Sequence, residues 1–583
     1  MKKKQILIQA LTSLTMAFSV FSINAQTNLG AACGCPPVGT RPQVLVTSLP
    51  GYTDTPGIFG GTLDNGATFT CANTYILDKK IYIPSGQTIT IQPGTLIKGA
   101  FAAIPQEATA LIISRGARVI ADGTESCPIV FTAQADPMDG SYAVSNIGRW
   151  GGLVLLGKAR NNLTFAANGP FTAFSGNGRI AAGDGLGVIE GFANNSVNNR
   201  FGVLQSGVVA GETIGAFDDN DNSGILRYVS VRYSGAILEV GAEINGITLG
   251  SVGRGTIIDH VEVVSCADDN IELFGGTVNI KHASTLFGND DALDYDLGWN
   301  GNVQFFFSMK SDVTSSPDSD SGIEADSDDQ RSNNLPRTHP VIYNTTFIGN
   351  AKATGTADNT ALAGINAKDL VEGEIYNSVF ANFRNGLNLV KSLGANRSFV
   401  AGGESWHNWS NIPGPASATN GNGSNSLKVI CNTFVGCVNP LTNGSTISSP
   451  GTLITSGADF TQFTTTDMNN IVVGNTLPGF DYSFDITDAT NVVVTKNDAT
   501  PNPALSISGC PTPSSTNYFF ENAPYRGAFS PAPGDNWLSN WSYSQVLNST
   551  KGVRGCPTDL NLDGSTDVLD FLLFAPAFNT TCD

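Results

Sequence analysis

The chain has 583 residues, 14% of them charged, with 65 glycines and a formal charge of −19, which suits several domains or one long repeat. Without Lys2, Lys3 and Lys4, which belong to an expected leader, the balance is 28 basic against 50 acidic residues, or −22. Such a field excludes nucleic acid as a partner, because phosphate binding rests on Lys and Arg, and it attracts divalent cations.

The three lysines precede an apolar stretch from Ile6 to Phe21, and Ala25 offers a small residue for cleavage. This pattern predicts a signal peptide over 1–25 and a secreted or outer-surface protein. No later run reaches the roughly 20 apolar residues a membrane span needs, so no span is expected once the leader is removed. Ten cysteines in an exported chain predict disulfides. Cys556 with Cys582, Cys71 with Cys127, and a small loop closed by Cys431 and Cys437 are the pairs suggested, with core packing of Cys431 and Cys437 left open.

After an N-terminal extension over 26–59, strand runs rich in Val, Ile, Thr and Phe and punctuated by Gly, Asn and Asp fill residues 60–545. Thr88 to Gly99, Leu111 to Ser114, Val119 to Gly123 and Pro128 to Thr132 are the first of these. Gly183-Asp184-Gly185-Leu186-Gly187 reads as turns. Residues 193–222, 311–337 and 408–426 read as loop excursions.

The strands repeat. Ile258-Asp259-His260-Val261 aligns with Ile280-Lys281-His282-Ala283 at an offset of 22, which also sets Asp268 over Asp290, Asp269 over Asp291 and Glu272 over Asp294. Leu226 to Val231 fits upstream, and Ile342 to Gly349, Ile375 to Phe380 and Val429 to Gly436 fit downstream. A fixed offset means one coil per repeat, with equivalent residues stacked about 4.8 Å apart in parallel strands. A column of Phe347, Phe380 and Phe434 should then lie inside. Tyr228, His260, His282, Asn344 and Asn377 should share one turn. An all-β, right-handed, single-stranded parallel β-helix is therefore expected. A β-sandwich gives no reason for a fixed offset.

These runs, with Trp150 to Ala159, Ile189 to Phe192, Asp268 to Gly276, and Tyr525 to Phe529 followed by Trp537 and Trp541, resemble a family of exported right-handed parallel β-helix proteins from Bacteroidetes and some spirochaetes. The resemblance covers about 60–545 and implies shape more than chemistry, since most members have no established activity.

Two sites could carry chemistry. The first is an acidic ladder of Asp268, Asp269, Glu272, Asp290, Asp291 and Asp294, with Asp296, Glu324 and Asp326 as possible continuations. Stacked carboxylates repel, so protons or a cation must sit among them. Structural or cation-binding use outweighs catalysis here, because the Gly-His-Gly and Arg-Ile-Lys triplets of galacturonases are missing. His260 and His282 read as stacked turn residues, and His339 and His407 lie in separate loops. Trp299, Trp406 and Trp409 read as exposed aromatics, with Trp537 and Trp541 capping the open end of the solenoid.

The second site closes the chain. Asp559, Asn561, Asp563, Ser565, Asp567 and Asp570 place oxygen donors at positions 1, 3, 5, 7, 9 and 12 of a loop with Gly564 at position 6, which suits Ca²⁺. Residues 555–583 resemble a dockerin repeat, which implies calcium-dependent folding and docking to a cohesin-like partner. Dockerins carry two such repeats, and one is found here. Taken together, the sequence favours a secreted, non-catalytic binding or structural protein that contacts extracellular polysaccharide through loops. The alternative is a calcium-dependent polysaccharide lyase or glycoside hydrolase.

Overall fold

The computed structural model describes residues 27–163, 183–189, 192, 196–239, 242–310, 321–327, 335–349, 363–368, 371–390, 427–445, 452–453, 464, 469–474, 480–483, 493–497, 507–514, 516–530 and 536–543. The expected leader, Cys556, Cys582, Trp406, His407, Trp409, the stretch 408–426 and all six residues of the calcium loop lie outside these.

Among the described residues the chain winds as a parallel β-helix. One sheet has 17 strands and a second has 13, paired in parallel between neighbouring coils except at Tyr52–Asp54 and Thr452–Leu453, which pair antiparallel. The offset of 22 is realised where Ile258 pairs with Ile280 and Glu272 with Asp294. Crossovers of this kind are right-handed in nearly all proteins because strand twist favours that hand.

Alternation along each strand decides what is buried. In the second sheet Ile247, Ile271, Leu293, Ile323, Ile365, Leu387 and Leu441 stack in register and point inward, all fully buried. The neighbouring position points to the outer face. In the longer sheet, Ile258, Ile280, Val303, Ile342, Ile375 and Val429 form the matching aliphatic column. The expected aromatic column is present: Phe347 stacks on Phe380 at 5.5 Å and Phe380 on Phe434 at 5.4 Å.

The longer strands bend mid-way, so each coil has three sides. Tyr228, His260, His282, Phe305, Asn344, Asn377 and Cys431 occupy this bend with φ between 50° and 60°. Left-handed backbone is unfavourable for residues with a Cβ and persists only when the surroundings over-determine it. Stacking supplies that constraint. Tyr228 and His260 rings lie 4.4 Å apart, His260 and His282 4.3 Å, and His282 and Phe305 5.0 Å. Asn344 instead donates its side-chain amide to the Tyr525 carbonyl at 2.6 Å.

Residues 507–514, 516–530 and 536–543 run back along the outside. Gly527 N–H donates to the Asn377 carbonyl, and the Arg526 guanidinium donates to the Asn432 carbonyl, both at 2.8 Å. Tyr543 N–H reaches Glu262 and the Asn540 amide reaches Glu125, both at 2.6 Å. Trp537 and Trp541 therefore do not cap the solenoid end. They lie on its flank, over His260, His282 and Tyr228 at 5.4–6.3 Å. Their indole N–H groups bond within this strap, to Ala528 and Trp537 carbonyls, so its own backbone fixes their position. Trp299 is likewise not exposed; it is fully buried, with its N–H on the Val278 carbonyl at 3.1 Å.

The disulfides also differ from expectation. Cys127 pairs with Cys33 and Cys71 with Cys35, fastening residues 27–42 across the first coils, where Arg41 donates to the Pro36 and Gly94 carbonyls. Cys431 pairs with Cys510 and anchors the strap, while Cys437 is a free thiol. Nothing in the spacing ties residues 30–35 to the first coils, so proximity in sequence misled. The Gly183–Val188 string is no turn either: it pairs antiparallel with Arg200–Gly207, packing Leu186, Val188 and Phe201 against the outer face of the second sheet. The excursion expected over 311–337 returns to the solenoid as the strand Ile323–Ala325.

Phe380 has an aromatic ring above and another below. Phe380→Ala should lower stability by about 3–5 kcal/mol, the cost of a large cavity in a packed core. Urea denaturation followed by tryptophan fluorescence checks it.

Candidate functional site

The acidic residues gather where the chain enters the second sheet in two successive coils. Two lanes meet there. The turn lane aligns Asn245, Asp269, Asp291 and Ser321, because Gly246 N–H bonds the Asp269 carbonyl and Asn270 N–H the Asp291 carbonyl. The strand lane aligns Thr248, Glu272, Asp294, Glu324, Asn366, Asn388 and Thr442 on the outer face, all in register.

In the turn lane the carboxylates work on backbone. Asp269 Oδ1 accepts Asp291 N–H at 2.8 Å, and Asp291 Oδ1 accepts Ser321 N–H at 2.5 Å. Each side chain caps the next coil, as Asp does in tight turns. Asp268 and Asp290 sit beside them and are half-buried, and Asp268, Asp269 and Asp290 bring oxygens within 4.8 Å of one another.

In the strand lane Glu272 accepts from the Asn245 side-chain amide. Asp269, Glu272 and Asp294 again converge within 4.8 Å. Lys368 bonds Glu324 at 2.7 Å and approaches Asp326 at 4.0 Å, and Lys310 donates to the Asp290 carbonyl. Past Glu324 the lane turns from carboxylate to amide. The Asn366 amide donates to Glu324 at 3.0 Å, the Asn388 amide to Asn366 at 2.9 Å, and the Thr442 hydroxyl to Asn388 at 2.7 Å.

All six ladder residues singled out from the sequence thus come together, and Glu324 joins them. Asn245, Thr248, Lys310 and Lys368 were missed. They fall on the same two lanes, or reach them from a neighbouring coil; Asn245 and Thr248 lie 24 residues before Asp269 and Glu272, two more than the repeat, so a 22-residue step upstream lands on Ile247 and Gly250 instead.

Burial is the main force on the carboxyls, and like charge adds to it. Asp268 is pushed up to about 7 by burial and by Glu243, and Asp294 up to about 8 by burial and by Glu324, against a partial offset from Lys368. Asp269 and Asp291 are raised in the same direction, again by burial first.

His260 and His282 both meet Asp259, with their Nδ1 atoms 3.0 and 2.9 Å from Asp259 Oδ1. They stack between Tyr228 and Phe305 on the turn position expected from the sequence, roofed by two tryptophans, and with Asp259 bring ligand atoms within 4.8 Å of one another. His339 lies 3.3 Å from Glu372 and 3.8 Å from Glu374, and these carboxylates raise it to about 9 despite burial.

A carboxyl raised by folding keeps its proton where the unfolded chain has released one. The stability this contributes is complete below about pH 4 and is lost as pH rises through about 7 and 8, the folded values of Asp268 and Asp294. In EDTA, the urea midpoint should therefore fall between pH 5 and pH 8.5. A midpoint that rises over that interval contradicts this electrostatic picture.

A family model described as a pectate-lyase-like β-helix domain matches residues 61–190 and 170–412, more than half of the chain. No curated protein and no solved structure matches. The matched span contains both lanes up to Asn388, every ladder carboxylate and the coils that stack them, and the chain belongs to the pectate-lyase-like β-helix family.

Proposed function

We propose that this is a secreted or cell-surface β-helix protein that contacts extracellular polysaccharide without cleaving it. A calcium-binding repeat at 559–570 would form its C-terminal end. The observation that carries the non-catalytic half is the packing of the carboxyls. Asp269 and Glu272 are 7% and 8% exposed, and with Asp294 they lie within 4.8 Å of one another. A glycosidase holds its two carboxyls about 5 to 9.5 Å apart with a sugar between them. These groups face each other and the next coil's backbone instead.

Polysaccharide as the partner is supported by the family's description and by an outer surface of long parallel sheets, which offers a repeating row of side chains to a repeating polymer. Export is supported by the leader-like first 25 residues and by three disulfides, which persist in oxidising compartments. The repeat at 559–570 would fold on Ca²⁺ and engage a cohesin-like or other surface partner.

The competing reading is a calcium-dependent lyase or hydrolase, and the raised Asp268 and Asp294 favour it, since a carboxyl titrating near neutrality can exchange protons with a substrate. A glycan array, combined with reducing-end and unsaturated-product assays on the same polysaccharides with and without Ca²⁺, separates the two. Retention on one glycan class with no product is expected. Turnover that disappears in Asp269→Ala/Asp291→Ala would establish the enzyme instead.

A further inference from the structure

The meeting point of the two lanes holds more oxygen than its hydrogen bonds use. Asn245 and Thr248 are both 0% exposed. The Asn245 amide nitrogen donates to Glu272, yet its Oδ1 has no partner, and neither does the Thr248 hydroxyl. Asp294 Oδ1, one coil further on, has none either. Thr248, Glu272 and Asp294 are direct neighbours in three consecutive strands. Asp269 brings its carboxylate to the same place from the turn lane.

A buried oxygen acceptor without a donor costs about 1–3 kcal/mol, and native proteins rarely leave one. A proton shared between two carboxyls relieves their repulsion but gives nothing to the acceptor-only amide oxygen of Asn245. A cation held where Asp269, Glu272 and Asp294 converge would answer the unpartnered Asp294 oxygen, with Asn245, bonded to Glu272, and Thr248, its strand neighbour, alongside. The donors are oxygens only, three carboxylates with one amide and one hydroxyl, which is a hard-cation set without the nitrogen or sulfur that would select zinc or copper. Calcium accepts irregular sets of six to eight oxygens, whereas Mg²⁺ demands a near-ideal octahedron.

We propose that Asp269, Glu272 and Asp294, with Asn245 and Thr248, form a buried calcium site that fastens three successive coils. Its role is structural: the ion replaces inter-coil carboxylate repulsion with shared coordination, beneath the surface where a polymer would bind. The site is separate from the repeat at 559–570 and does not depend on the polysaccharide reading.

The test uses the full chain carrying Asp559→Asn and Asp563→Asn, so that the C-terminal loop no longer contributes, stripped with EDTA and titrated with Tb³⁺. Tyr295 adjoins Asp294 and packs 5.2 Å from Trp299, so an ion here would be excited through these rings. Sensitised emission saturating near one equivalent, displaced by Ca²⁺, and a Ca²⁺-dependent rise in melting temperature are expected. Adding Glu272→Gln and Asp294→Asn should weaken binding at least tenfold. Should that variant fail to fold by circular dichroism, Thr248→Val, which keeps the shape and removes one oxygen, should still weaken it measurably. Absence of emission and of any calcium-dependent melting shift in the loop-disabled chain overturns the proposal. So does binding that survives both sets of substitutions unchanged, or that is lost only with Asp268→Asn/Asp290→Asn.

Discussion

Everything in this molecule depends on the parallel ladder between coils. Parallel strands hold equivalent residues about 4.8 Å apart, so a residue type chosen once is met again immediately above and below. For Ile271 or Phe380 that repetition is favourable, since like packs on like and each coil buries its face on the next. For Glu272 and Asp294 it is unfavourable, and the chain must neutralise, cap or coordinate what the ladder forces together. The outer lane of the second sheet shows several answers in sequence: hydroxyl at Thr248, carboxylates through Glu324 with Lys368 alongside, then the amides of Asn366 and Asn388 in a hydrogen-bonded chain that ends on the Thr442 hydroxyl.

The bend in the longer sheet poses a comparable problem for the backbone. A left-handed residue at the same point in coil after coil is a repeated strain, and the side chains there are those that recover it. Aromatic and imidazole rings stack, and Asn344 reaches across to the strap. The strap links the two halves of the molecule in turn. Its Trp537 and Trp541 roof the ring stack, and Arg526 satisfies the Asn432 carbonyl from a fully buried position. The residues that shape each coil are thus also the docking surface for the chain's return path, and Cys431, itself at the bend, ties that path down through Cys510.

The winding and the acidic ladder were legible because Ile257–Val264 and Asn279–Leu286 are separated by the bare 22-residue coil, without insertion. The Phe column and the shared bend of His260, His282, Asn344 and Asn377 followed from the same alignment. Elsewhere the offset grows to 30 between Asp291 and Ser321, 42 between Glu324 and Asn366 and 54 between Asn388 and Thr442. Insertions of that size hide the register, so the amide half of the lane was invisible. Contacts made by segments outside the repeat were also out of reach: Cys33 and Cys35 reach their partners through an irregular extension, and the tryptophans arrive on a strap that carries no periodicity. Asn245 and Thr248 look like ordinary turn and strand residues until their burial beside Glu272 is seen.

The central claim is the coil register that makes Glu272 and Asp294 lateral neighbours, and disulfide trapping tests it most directly. In a Cys266→Ser/Cys437→Ser background, Glu272→Cys with Asp294→Cys should close under mild oxidation, since adjacent parallel strands fall within disulfide reach, while Glu272→Cys with Asp296→Cys should not. Equal trapping of both pairs, or none of the first in a folded protein, would contradict the stacked-coil account.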